Sequence, residues 1–149
     1  MINIQIINDF DNKLKLSNDL IEKVISDIIF NESEYNNIKI SVIISDDEYL
    51  RSLKIKYFNM DIFTDVITFN LSDNDKNLDA EIYISWERVS ENTRKYKQEI
   101  NDEMKRVIIH GCLHLAGFND STEKEKIYMR EKEQEYINNM DEDIIIECY

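Results

Sequence analysis

The sequence has 149 residues, which is the usual length of one domain and is enough to bury a core. Hydrophobic residues make up 42% and charged residues 33%, which is typical of a globular chain and excludes a disordered one. The net charge of -13 argues against a general nucleic-acid binder, although a local basic cleft stays compatible with it.

The sequence also lacks the signs of secretion or membrane insertion. The two cysteines, Cys112 and Cys148, imply no disulfide framework, and Cys148 has no assigned role. Residues 1–7 lack the basic and apolar regions of a signal peptide, and no apolar run reaches the length of a membrane span. A soluble, cytoplasmic protein without a membrane partner is therefore predicted.

The first part of the chain is predicted to contain two strands and two helices. Residues 2–7 are rich in isoleucine and predict a strand. Ser17 is a good N-cap for a helix with one apolar face. Residues 38–44 alternate as a second strand, and Ser45 fits a capping box that begins a helix over residues 46–57.

The remainder is predicted to add two strands and three helices. The strands are expected at residues 66–70 and 81–85. The helices are expected over residues 86–97, 99–116 and 122–139, the last capped by Ser121. Because strands come early and helices late, we predict an α+β fold with a small mixed four-stranded sheet and about five helices, in a single domain over residues 1–149.

Residues 110–120 hold both histidines and both glycines of the sequence. His110 and His114 are four residues apart, so on an α-helix they lie about 40° apart around the axis and about 6 Å along it. Two imidazoles placed in this way can bind one metal ion. Gly117 suits a left-handed helix end, after which the chain can turn back and offer Asp120 as a third ligand. Three protein ligands would leave one position for water, as in catalytic zinc sites.

The helix around the histidines has further features of a buried site. Gly111 lies inside it, where glycine costs about 1 kcal/mol relative to alanine, so we expect close packing against the backbone there. Most sides of the helix are apolar, which predicts burial, and buried imidazoles need polar partners. Cys112 points to roughly the opposite side from the histidines and is interpreted as a core residue.

Two other interpretations of the histidine pair stay open at this point. The rings can be core side chains that make separate hydrogen bonds, or they can bind a purely structural zinc ion. Structural zinc sites are usually closed by four protein ligands, often cysteines. The position of Cys112 on the helix does not favour such a site.

The same segment resembles two families of metal-dependent hydrolases. The spacing of His110, His114 and Asp120 is similar to that of metzincin proteases, but those need a glutamate where this chain has Gly111. The segment more closely resembles the YbeY family of metal-dependent endoribonucleases. Its signature, His-Gly-x-Leu-His-Leu-x-Gly-aromatic-Asp-His, is matched in register at residues 110–118.

Two more segments carry the YbeY resemblance. Residues 64–69 match the family form Thr-Asp-Val-hydrophobic-Ser/Thr-Phe, and residues 80–85 are similar to Gly-Asp-Ile-hydrophobic-Ile-Ser. The order of elements also fits, so the resemblance covers nearly the whole chain. Two positions depart from the family: its third histidine aligns with Asp120, and an arginine that it usually carries aligns with Phe58.

The resemblance implies a zincin-like fold and a zinc-dependent, single-strand-specific endoribonuclease of ribosomal RNA maturation and ribosome quality control. One zinc ion per chain would be held by His110, His114 and Asp120, with another divalent metal as the alternative, and a metal-bound water would attack the phosphodiester. The partners would be ribosomal RNA or the small ribosomal subunit, and not DNA. The competing function is a non-catalytic ribosome-associated factor with a structural metal, followed by a metal-dependent peptidase.

Arg106 and Lys56 are the candidate substrate-binding residues. Arg106 comes one helical turn before His110, so it can reach a substrate phosphate, or it can pair with Asp102 or Glu103 on its own helix. Lys56 is a candidate to compensate for the missing family arginine, with Arg51 as the alternative. No residue is assigned as general base, and the oligomeric state is not predicted.

Overall fold

The computed structural model describes residues 1–148 and contains five helices and six strands in those residues. The strands are β1 (Ile2–Asn8), β2 (Lys15–Leu16), β3 (Asn37–Ser45), β4 (Val66–Asn70), β5 (Asn77–Ser85) and β6 (Ile145–Glu147). The helices are α1 (Asn18–Glu32), α2 (Asp47–Phe58), α3 (Trp86–Tyr96), α4 (Ile100–Leu115) and α5 (Glu123–Asn138). Within the described chain, every helix is too short or too polar to cross a lipid bilayer.

The main sheet has the strand order β1-β3-β5-β4. Strands β1, β3 and β5 are parallel, whereas β4 pairs antiparallel with β5 and forms one edge. The predicted α+β fold, with a mixed four-stranded sheet and five helices, is confirmed.

Helix α4 is the centre of the helical layer on one face of this sheet. It contacts α1, α3, α5 and strands β4 and β5. Its side chains Val107, Ile108, Ile109 and Leu113 are fully buried, and each contributes roughly 1.5–3 kcal/mol by leaving water. Helix α2 lies on the other face, where the rings of Tyr49 and Tyr83 are 6.0 Å apart. The histidine helix is therefore held in place from several sides.

Two of the predicted helix caps are wrong by one residue. Asp46, and not Ser45, caps α2, because its side chain accepts a hydrogen bond from the Tyr49 amide while Ser45 is still paired in β3. Thr122, and not Ser121, caps α5, where it forms a complete capping box with Glu125. The cap predicted for α1, Ser17, is confirmed, and Ser85 caps α3.

Two strand segments differ from the sequence-based expectation. Strand β5 begins at Asn77, four residues before the predicted start, because residues 77–80 pair with residues 37–40 of β3. Strands β2 and β6 were not among the predicted strands, and they pair antiparallel with each other. Both differences depend on pairing with a strand that is distant in sequence.

Gly111 lies where α4 packs on the sheet. A Cβ atom at this position would be 3.2 Å from Thr68 Cγ2, 3.4 Å from Ile82 Cγ2 and 3.5 Å from Val66 Cγ2. Glycine therefore lets the helix backbone approach β4 and β5 one residue after His110. The close packing predicted from the sequence is confirmed.

We expect Gly111→Val to lower the free energy of unfolding by about 1–3 kcal/mol, because its methyl groups overpack the contact with Thr68. Urea denaturation followed by circular dichroism measures this effect. Thr68→Ser removes the nearest methyl group, so in a double-mutant cycle it should recover part of the loss. A Gly111→Val protein as stable as the unchanged chain would show that the contact is not tight.

Candidate metal centre

The end of α4 is shaped by a glycine turn. Gly117 has a φ of +105°, which side chains rarely adopt. Its amide donates to the His114 carbonyl at 3.0 Å, and the Phe118 amide donates to the Leu113 carbonyl at 2.9 Å. These two bonds form a Schellman motif, which stops the helix and turns the chain back towards it. The left-handed helix end predicted at Gly117 is confirmed.

The turn brings three side chains to one point. The Nε2 atoms of His110 and His114 are 3.0 Å apart, and Asp120 Oδ2 lies 3.5 Å from the first and 3.3 Å from the second. Ligand atoms around a tetrahedral zinc ion, at metal distances of about 2.0–2.2 Å, are separated by about 3.3 Å. His110, His114 and Asp120 are all half-buried. This cluster can hold a metal ion.

The other nitrogen of each ring is fixed by an acceptor. His110 Nδ1 lies 2.6 Å from Glu133 Oε2, and His114 Nδ1 lies 3.0 Å from the Phe118 carbonyl oxygen. A carboxylate and a carbonyl both accept, so each Nδ1 is placed to donate a hydrogen, which in a neutral imidazole leaves a lone pair on Nε2 that points inwards. Two lone pairs and a carboxylate this close repel one another unless a cation lies between them. The donor set therefore fits a bound metal ion better than two separate hydrogen bonds.

Arg106 belongs to a group of carboxylates behind His110. Its Nη2 atom is 2.6 Å from Glu103 Oε1 and 2.9 Å from Asp65 Oδ2, and its Nη1 atom is 3.9 Å from Glu133 Oε1. Burial alone would lower the pKa of Arg106, but the hydrogen bonds and charges of these carboxylates outweigh burial and raise it. Of the two helix partners considered for Arg106, Glu103 is the observed one. Its proposed contact with substrate stays a prediction.

Glu133 is the site residue that sequence reasoning missed. It lies on α5, and its side chain is 7% exposed while it contacts His110 from 23 residues away. The sequence feature that indicates its burial is its position one turn after Met129, which is the other buried residue of α5. A glutamate on the buried face of a helix needs a polar partner, so this spacing marks Glu133 as a residue with a function.

The other predicted positions lie apart from the cluster. Lys56 is exposed, and its Nζ atom is 5.1 Å from the centre of the Tyr57 ring. Phe58 stacks on Phe69, with 5.9 Å between ring centres. Neither Lys56 nor Phe58 lines the cleft next to His110. The role proposed for Lys56 in substrate binding stays a prediction.

Cys112 is fully buried, and burial raises the pKa of its thiol to about 12. The interpretation of Cys112 as a core residue is confirmed, because a protonated thiol inside the core cannot bind a metal as thiolate. Cys148 is exposed.

We expect a thiol reagent such as iodoacetamide to modify Cys148 and not Cys112 in the folded protein at pH 8, because only the exposed thiol is accessible. In urea both thiols should react. Mass spectrometry of the intact chain and of its peptides counts the modified sites. Rapid labelling of Cys112 without denaturant would contradict the burial of this face of α4.

A cleft of about 700 Å³ opens beside the cluster. His110 and Asp120 line it together with residues of α3 and α5, including Asn92 and Arg130. Since two of the three clustered side chains are on its surface, a molecule in the cleft would touch the candidate metal centre.

The fold and the site define a class: an α+β protein with two histidines and one carboxylate that can hold a metal ion at a helix end. Comparison with known proteins gives the family. The family described as endoribonuclease YbeY matches residues 5–141. The chain therefore belongs to the YbeY family, as the three sequence motifs predicted.

Individual relatives agree with this assignment. The chain is 41% identical to an endoribonuclease YbeY of Karelsulcia muelleri, over 86% of this chain and 90% of that protein. It is 41% identical to the one of Amoebophilus asiaticus, over 85% of this chain and 86% of that protein. The solution structure of a Thermotoga maritima protein matches with a TM-score of 0.58 and 26% identity, covering 93% of this chain and 87% of that one.

Proposed function

We propose that the protein is a zinc-dependent, single-strand-specific endoribonuclease that acts in ribosomal RNA maturation and ribosome quality control in the cytoplasm. Residues 1–149 form one functional domain in this proposal. Membership of the YbeY family and the endoribonuclease names of the relatives support the activity. The substrate is ribosomal RNA or the small ribosomal subunit.

One observation carries the proposal: two imidazole Nε2 atoms and one carboxylate oxygen converge within 3.0–3.5 Å of one another. His110, His114 and Asp120 would hold the ion. Zinc, when bound, supplies a Lewis acid for a phosphoryl oxygen and lowers the pKa of water towards about 7. The three ligands leave room for a fourth group, which is the pattern of catalytic zinc sites.

The surrounding residues have separate tasks. Glu133 and the Phe118 carbonyl accept from the two Nδ1 atoms and keep both rings in the tautomer that binds metal. The positive charge of Arg106 offsets the mutual repulsion of the carboxylates of Glu133, Glu103 and Asp65, which would lie near the bound ion. No general base is assigned, because Glu133 is occupied by His110, and Asp65 and Glu103 by Arg106.

The test is cleavage of an end-labelled single-stranded RNA by protein stripped with a chelator and then reloaded with zinc. The reloaded protein should cut the strand internally, the stripped protein should not, and the same RNA annealed to its complement should survive. Equal cleavage in all samples would identify a contaminating nuclease and end the proposal. An ion bound without any cleavage would support the ribosome-associated factor instead.

A further inference from the structure

Two cationic side chains that have no role in the proposed metal centre line the cleft beside it. Lys126 and Arg130 are one turn apart on α5, and both line the cleft together with His110 and Asp120. Among the residues that the structure describes, the one ion-pair partner of Lys126 is the exposed Glu123, at 3.8 Å. Within residues 1–148, no carboxylate forms an ion pair with Arg130. These two side chains are therefore available for a ligand, whereas Arg106 is held by carboxylates.

An aromatic ring lines the same cleft from a different helix. Tyr96 is the last residue of α3 and is 57% exposed. In the described part of the chain, the Tyr96 ring has one cation–π contact, with Lys95, whose Nζ atom lies 5.3 Å from the ring centre. A large exposed ring beside free cations is the combination by which proteins bind single-stranded nucleic acids: bases stack on the ring while cations follow the phosphates.

The charge of the cleft agrees with an anionic ligand once an ion is bound. Among the described residues, five carboxylates and three cations line it: Asp65, Asp102, Glu103, Asp120 and Glu133, with Arg106, Lys126 and Arg130. A divalent ion at His110 and Asp120 would bring this lining to formal neutrality. The cleft then stops repelling a phosphate, although the whole chain carries a net charge of -13.

We propose that this cleft binds one nucleotide of a single-stranded RNA next to the bond that is cut. Its phosphate lies on Lys126 and Arg130, and its base stacks on Tyr96. The volume of about 700 Å³ is suited to a group of this size. The inference rests on the proposed ribonuclease function and names the residues that hold the substrate.

The test is fluorescence anisotropy with a labelled single-stranded oligouridine, zinc-loaded protein and a series of salt concentrations. Lys126→Gln and Arg130→Gln should each lower the slope of log affinity against log salt, by at most about 0.7, because each removes one of the two cations that contact the phosphate. Lys124→Gln is the matched control: Lys124 is exposed on the same helix and does not line the cleft. It should leave the slope unchanged.

The ring has its own matched pair of variants. Tyr96→Ala should weaken binding by roughly 5- to 150-fold, because it removes a stacking surface, whereas Tyr96→Phe keeps the ring and should bind almost as tightly as the unchanged protein. The zinc content of every variant should equal that of the unchanged chain, which shows that the metal centre is intact. RNA length is checked by gel after each titration.

The outcomes separate the two proposals. If the zinc-loaded, unchanged protein neither binds nor cuts single-stranded RNA, the proposed function itself fails. If that protein binds and cuts, the cleft proposal is overturned when both cation variants show the salt slope of Lys124→Gln and Tyr96→Ala binds like Tyr96→Phe.

Discussion

His114→Ala is expected to abolish stoichiometric zinc binding and to reduce RNA cleavage by more than about a hundredfold. Loss of a residue that only supports a ligand typically costs 10- to 100-fold in affinity or activity, so loss of a ligand should cost more. The fold should survive, because His114 is half-buried at the end of α4 and its side chain is 29% exposed. The expected defect is therefore in the site and not in stability.

Three measurements on the same preparation check this expectation: zinc content after dialysis, cleavage of single-stranded RNA, and thermal unfolding followed by circular dichroism. Glu135→Gln, an exposed substitution on α5, serves as a control that should keep both ion and activity. A His114→Ala protein that retains one tightly bound ion and full cleavage would show that the imidazole is not a ligand.

Substitution of Glu133 is expected to have the second largest effect. Its carboxylate accepts from His110 Nδ1 at 2.6 Å and is 3.9 Å from Arg106 Nη1. Glu133→Gln keeps an oxygen acceptor but loses the charge, so we expect about a tenfold loss of zinc affinity. Glu133→Leu also removes the acceptor, frees the ring of His110 and leaves Arg106 with fewer partners, so the loss should approach about a hundredfold.

The order of affinities is the informative result, and competition with a chromophoric zinc chelator measures it. The unchanged protein should bind most tightly, followed by Glu133→Gln and then Glu133→Leu. Glu135→Gln is the control here too, because it makes the same chemical change two residues away on the exposed side of α5. Equal affinities for all four proteins would mean that Glu133 does not support the ligand.

The central part of the site was predictable because it is local in sequence. A four-residue spacing fixes the relation of His110 and His114 on any α-helix, and Gly117 supplies the positive φ that turns the chain towards Asp120. Gly111 likewise predicts a close contact with the helix backbone, although the sequence does not identify Thr68 as the neighbour. Each of these inferences depends on the geometry of one helix and the turn after it.

The parts that were not predicted depend on packing between distant segments. Glu133 reaches His110 only because α5 lies against α4, and sequence spacing does not contain that arrangement. Arg106 also contacts Asp65, which is 41 residues away in sequence, and the spacing of residues along α4 does not predict that contact. Asp46 caps α2 in place of the predicted Ser45, because Ser45 is paired in the sheet opposite Ser85.

The most direct measurement is X-ray absorption at the zinc edge of the protein reloaded with one equivalent of zinc. We expect one bound ion with two imidazole nitrogens at about 2.0–2.1 Å, with oxygen as the remaining ligands and with no sulfur ligand. A chain that takes up no ion, or a spectrum dominated by sulfur at about 2.3 Å, would contradict this expectation.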